Sequence, residues 1–178
     1  MPRKLHIAVI GYNEDRCTEK AKTIAYDVGR EIAVSGAILV CGGLGGVMEY
    51  ACKGAKEYNG YTVGIIPQED PSFANKYCDV VICTGFGLAR DFIVASSADG
   101  IIAIGGGVGT LIEIGVGYMI KKTIIAMSGS GGVSDIYGGK YLDERKTVPL
   151  IFANEPYHAV QMIFSKNSHQ DCIDSTNL

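Results

Sequence analysis

Glycine placement constrains this chain more than any other feature. Of its 178 residues 24 are glycine, about twice the ordinary share, and they gather at the ends of short apolar runs instead of forming a linker. Leu5 to Ile10 runs into Gly11, Ile38 to Cys41 into Gly42-Gly43-Leu44-Gly45-Gly46, and Gly100 to Ile104 into Gly105-Gly106-Gly107-Val108-Gly109. Glycine at such places lets backbone close tightly on a ligand. Short unbroken apolar runs that alternate with helical spacing describe strands buried on both faces, hence a parallel sheet with helices on either side.

The rest of the chain fits that scheme. Ala21, Ile24, Ala25, Val28 and Ile32 recur at helical spacing from about Thr18 to Ser35, with Gly36 as the stop. Val47 to Glu57 reads as a helix, Thr62 to Ile66 as a strand, Pro67 to Asp79 as a loop or partly helical excursion, and Val80 to Cys83 as a strand. Beyond it come helices at Gly87 to Ala98 and Thr110 to Lys121, strands at Thr123 to Met127 and Leu150 to Ala153, and a last helix at Pro156 to Ser165. Ser128 to Val148, with Gly129, Gly131, Gly132, Gly138 and Gly139, reads as a mobile surface loop at the ligand cleft. In an open doubly wound sheet the ligand lies beyond the carboxyl ends of the strands, where both glycine loops fall.

A chain that is 47% hydrophobic and 20% charged suits one medium-sized domain. Its 16 Lys and Arg against 19 Asp and Glu leave a net charge of -3 with no run of like charges. That balance argues against nucleic acid as the main partner. A small anion held by backbone amides needs no such basic face. No apolar run approaches the ~20 residues of a membrane span, and the start MPRKLHIAVIGYNED lacks a small-residue cleavage pattern. The expectation is a soluble, cytoplasmic protein with no membrane partner. Cysteines 17, 41, 52, 78, 83 and 172 form no C-x-x-C pair, and in mostly apolar contexts they read as buried thiols of a reducing cytosol in preference to disulfides or metal ligands. His6, His158 and His169 lack zinc spacing, so no metal is expected.

The familiar phosphate motifs fail. A P-loop needs Lys and then Ser or Thr after its last glycine, whereas Val47 and Met48 follow Gly46, and Thr110 and Leu111 follow Gly109. Neither loop has the spacing or the ribose-binding acid of a dinucleotide fingerprint. The chain carries instead Gly42-Gly43-Leu44-Gly45-Gly46-Val47-Met48, then Gly64-Ile65-Ile66-Pro67, then Arg90, then Gly106-Gly107-Val108-Gly109-Thr110-Leu111-Ile112-Glu113. In that order these strings resemble the Rossmann-like superfamily that includes the LONELY GUY (LOG) nucleotide hydrolases, often misnamed lysine decarboxylases, and the molybdenum-cofactor carrier proteins. The resemblance runs from Leu5 to about Met127.

It implies an α/β fold: a Rossmann-like, doubly wound, mainly parallel sheet of about six or seven strands in three layers, with residues 1–165 as one domain and 166–178 as a polar tail. It also implies that Gly106, Gly107, Gly109 and Thr110 cradle a phosphate, as a helix N-terminus is suited to do, with Gly42, Gly43, Gly45, Gly46 and Met48 as further ligand contacts. In the hydrolase branch the residues matching Arg90 and Glu113 are the catalytic pair on the N-glycosidic bond of a nucleoside 5'-monophosphate. There a carboxylate stabilises an oxocarbenium-like state or activates water. Two departures, Gly105 in place of the usual proline and Asp91 where lysine is common, set this chain in an uncharacterised branch near the carriers.

Plainer readings stand beside these. Thr110 and Glu113 also spell a capping box, and Arg90 can pair with Asp91 or Asp99. Tyr12, Asn13 and Glu14 are placed to touch a base or sugar, or to make a polar turn. The functional expectations are thus a nucleoside 5'-monophosphate hydrolase with no required cofactor, a non-catalytic carrier of molybdenum cofactor or a similar phosphorylated pterin, and a nucleotide sensor or single-strand binder, against which the acidic charge counts. Ile114 to Ile120, apolar on nearly every side with Gly115 and Gly117, reads as a helix buried in the interface of a homodimer or higher homo-oligomer.

Overall fold

The computed structural model describes residues 3–174; side chains from residue 169 onward, His169 and Cys172 among them, lie outside the described set. Seven strands form one sheet: β1 His6–Gly11, β2 Ile38–Cys41, β3 Tyr61–Ile66, β4 Val80–Cys83, β5 Gly100–Ile104, β6 Thr123–Met127 and β7 Leu150–Ala153. Every neighbouring pair is parallel, in the order β4-β3-β2-β1-β5-β6-β7. The helices are α1 Glu19–Val34, α2 Val47–Glu57, α3 Arg90–Ser96, α4 Val108–Met119, α5 Gly132–Tyr137 and α6 Pro156–Asp174.

Because side chains alternate across a strand, the apolar runs feed two cores. Ile7 and Val9 of β1, with Leu39, Cys41, Ile102, Ile104 and Ile125, face Ala21, Val28, Ile32, Ala51, Cys52 and Ile163 of α1, α2 and α6. Ala8 and Ile10, with Val40, Ile65, Ile101, Ala103 and Ile124, face Val94, Ile114, Val116 and Val133 of α3, α4 and α5. The three-layer, Rossmann-like expectation is met, and the sheet is wholly parallel. From β1 the chain winds outward through β2, β3 and β4, then returns to the other side of β1 as β5. That reversal opens a crevice beyond the carboxyl ends of β1 and β5.

Four segments differ from expectation. The Gly87 helix opens as a 3-10 turn over Gly87–Ala89 and becomes α-helical only at Arg90. Helix α4 starts at Val108, two residues before Thr110. Ser128 to Val148 is no mobile loop at the cleft mouth: it contains α5 and is fastened behind the second glycine loop. Fully or nearly buried Ser130 and Ser134 bond to Gly105, whose N–H donates to Ser130 Oγ (2.8 Å) while the Ser134 hydroxyl donates to its carbonyl (2.9 Å). Buried serines with satisfied hydroxyls, together with Val133 in the core, anchor this glycine-rich segment. At the chain's end α6 continues past Ser165 to Asp174.

Candidate functional site

The crevice between β1 and β5 is a cavity of about 420 Å³, within the span of small-molecule sites. Gly11 at the end of β1 forms part of its floor, and α4 points its N-terminus into it. Helix geometry leaves the first amides of a helix without internal partners, and here the N–H groups of Val108, Gly109 and Thr110 precede the first helical bond, Leu111 N–H to the Gly107 carbonyl (3.0 Å). The loop before them is held through its carbonyls. Val133 N–H donates to the Gly106 carbonyl (3.0 Å) and Ser134 N–H to that of Gly105 (3.2 Å). Gly106 has φ of +90°, and a Cβ there would collide with the Thr110 side chain. The Thr110 hydroxyl donates across to the Gly11 carbonyl (3.1 Å), tying α4 to β1.

Arg90 enters from α3. It is 8% exposed, and its guanidinium stacks over Gly42, where a Cβ would collide with it. One guanidinium nitrogen meets Asp91 Oδ1 at 3.3 Å, while Nε is buried without a hydrogen-bond partner. Asp99 is engaged elsewhere, by Arg3 (2.6 Å) and the His6 N–H (2.7 Å), so of the two acids in reach on the sequence Arg90 takes Asp91. Arg90 lines the cavity, and a buried cation whose hydrogen-bonding is incomplete is a costly arrangement that an anion beside it offsets.

Glu113 lies one turn deeper on α4 and is 7% exposed. A capping box needs its acid at the third helical position; with Gly107 as the N-cap, Thr110 holds that position and Glu113 falls a full turn beyond it. Burial first, and then the nearby Asp91 charge, push its carboxyl up to about 8, partly opposed by Arg90. Burial likewise raises Asp91, against the pull of Arg90. At neutral pH Glu113 is thus mainly a neutral acid, able to donate a hydrogen bond.

Of the residues singled out in the sequence, Gly42, Met48, Arg90, Gly106, Gly107, Gly109, Thr110 and Glu113 all line this one cavity. Gly43, Gly45 and Gly46 do not. A Cβ on Gly45 would stand 3.1 Å from the Glu14 Cβ, and Gly46 N–H donates to Glu14 Oε2 (2.9 Å). Tyr12 and Asn13 do line it, while Glu14 serves the first glycine loop. Sequence reasoning took Asp91 as a departure from a pattern and a partner for Arg90 but not as a site residue, and it missed the lining residues Asp15, Arg16, Pro67 and Leu88. Leu88 is 83% exposed at the mouth, a position that no apolar periodicity marks.

The profile of the SLOG cluster4 family matches residues 4–160. The chain belongs to that family. A relative from Archaeoglobus fulgidus, described as an uncharacterized protein, is 42% identical over 123 residues, covering 69% of this chain and 80% of its own. The molybdenum cofactor binding protein of the phototrophic bacterium Rippkaea orientalis superposes with a TM-score of 0.81 at 33% identity, over 92% of this chain and 97% of that one. The molybdenum cofactor carrier protein of Chlamydomonas reinhardtii gives 0.78 at 30% identity, over 92% and 98%. Among the described residues of this SLOG chain no helix is long and apolar enough to cross a membrane.

The fold also gathers three cysteines that look unrelated in sequence. Cys41 ends β2, Cys52 lies within α2, Cys78 precedes β4, and their sulfurs all lie within 4.8 Å of one another. No C-x-x-C spacing announces them, because three separate elements bring them together.

Proposed function

We propose that this SLOG protein is a non-catalytic binding protein for a phosphorylated pterin of the molybdenum-cofactor type. The observation that carries the proposal is the buried Arg90, its Nε unpaired, facing the same cavity as the free amides at the start of α4. The phosphate sits against Val108, Gly109 and Thr110 with Arg90 as its counter-charge. Neutral Glu113 then donates to the heterocycle without repelling the anion. Two structural relatives named for the molybdenum cofactor, each matched over nearly its whole length, support the choice of ligand.

Cleavage of an N-glycosidic bond is the second reading, carried by the convergence of Arg90 and Glu113 in one cavity. A carboxyl held up to about 8 favours binding over that chemistry, which calls for an ionised carboxylate beside the sugar. The separating experiment incubates the protein with cofactor released from a molybdoenzyme, passes it through gel filtration and measures retained pterin by fluorescence after oxidation. A parallel set holds nucleoside 5'-monophosphates and is assayed for free base. Retained pterin and no base are expected. Base release that disappears in Glu113→Gln, or no retained pterin, overturns the proposal.

The protein acts as a homodimer in this reading. Val108, Ile112 and Met119 on α4 and Phe92 on α3 are exposed apolar side chains, and the space beside Gly115 on α4 is open. A second copy of the chain covers this face, and sedimentation gives a dimer that Met119→Lys weakens; a wild-type monomer contradicts the assembly.

A further inference from the structure

The first glycine loop has a side turned away from the anion cavity, and three thiols meet there. Cys41 and Cys52 are fully buried with sulfurs 3.5 Å apart, and Cys78 is half-buried. Gly43 N–H donates to the Cys41 sulfur (3.3 Å). The approach of Cys78 is built into the backbone: a Cβ on Gly64 would stand 2.6 Å from its sulfur and 3.0 Å from the Gly43 Cα. Asn75 pins the Cys78 segment to the glycine loop, its N–H donating to the Gly43 carbonyl (2.8 Å) and its Nδ2 to that of Leu44 (3.0 Å). Among the described residues this is the one group of three or more His, Cys, Asp or Glu side chains that converge closely enough to share a metal ion.

We propose that Cys41, Cys52 and Cys78 bind one Cu(I) ion through their three sulfurs. Soft thiolates select thiophilic ions such as Cu(I) and Zn(II) over hard ones. Structural zinc requires four ligands, and this cluster offers no fourth His, Cys, Asp or Glu. Cu(I) is satisfied by three thiolates in a plane. Metal–sulfur bonds of about 2.3 Å in that geometry set the sulfurs roughly 4 Å apart, and the observed spacing, from 3.5 Å to within 4.8 Å, needs only small side-chain shifts. The ion arrives already as Cu(I), so no electron moves; each thiol that ligates gives its proton to solvent.

The test is an anaerobic titration of the reduced full-length protein with Cu(I) buffered by bathocuproine disulfonate, following ultraviolet thiolate-to-copper absorption. Wild type and Cys83→Ser should each take up one Cu(I) per chain. Cys78→Ser, in a half-buried loop position where circular dichroism checks the fold, should lose about 100-fold or more in affinity. Gly64→Ala should weaken binding with all three cysteines present. Uptake below one per chain, Cys78→Ser binding as tightly as wild type, or Zn(II) displacing the copper at equal concentration would each overturn the proposal.

Discussion

The two glycine loops look alike on paper and differ in what their amides do. Both follow a buried strand and open a helix. In the first, Gly46 N–H is taken by Glu14 Oε2, Val47 N–H by the Tyr12 carbonyl (2.9 Å) and Gly43 N–H by the Cys41 sulfur. A carboxylate of the chain itself already stands at the N-terminus of α2, the place an external anion would want. The second loop is held through its carbonyls by Val133 and Ser134, so the N–H groups at the start of α4 remain for a ligand. Glycine content marks where backbone is crowded; what separates a cradle from a tight turn is which half of each peptide the fold uses up.

If the second loop is the functional one, its neighbourhood should trade stability for binding, and the first should not. The largest effect falls on Glu113. Its folded carboxyl sits at about 8 against an ordinary 4.5, so folding disfavours the ionised form and wild-type stability falls as pH climbs through that window. Glu113→Gln, which cannot ionise, should therefore gain on wild type by about 3 kcal/mol at pH 7 and by little below pH 4.5, read from denaturant melts at both pH values. By the same sign pterin affinity falls above about pH 8, when the carboxylate ionises beside an anionic ligand.

Next comes Arg90→Ala, expected to cost about 2 to 3 kcal/mol of pterin binding, roughly 30- to 150-fold in Kd by calorimetry. Glu14→Ala removes the internal partner of Gly46 and should cost about 1 kcal/mol of stability in a thermal melt while leaving Kd within about twofold. The smallest stability change belongs to Gly107→Ala. Its φ is -120° and no atom lies within 4 Å of the added methyl. The fold should be unaffected within about 0.5 kcal/mol, and a severalfold loss of affinity would then report a ligand lying against that backbone. Equal losses of binding in Glu14→Ala and Arg90→Ala would erase the contrast between the loops.

The sheet was legible because its strands are short unbroken apolar runs; β2, β4, β5, β6 and β7 fall where those runs do. The start of α4 was harder, since Val108 and Gly109 read as loop and Thr110 with Glu113 as a cap, and two residues of offset turn a capping acid into a buried one. Helix α5 stayed hidden because its segment is anchored by buried Ser130 and Ser134, which leave no apolar periodicity. Arg90 and Glu113 were marked by a family resemblance; what makes them chemically unusual, burial and an unpaired Nε, arises from packing between α3, α4 and β2 that no local pattern encodes. Cys41, Cys52 and Cys78 share the same reason in stronger form: each is unremarkable alone, and the topology makes the cluster.

The most direct test of the loop assignment is an amide nitrogen–proton NMR titration of the full chain with a phosphorylated pterin. The account predicts saturable shifts at Val108, Gly109 and Thr110, with those of Gly46 and Val47 unmoved. Shifts centred on Gly46 and Val47, with the start of α4 silent, would contradict it.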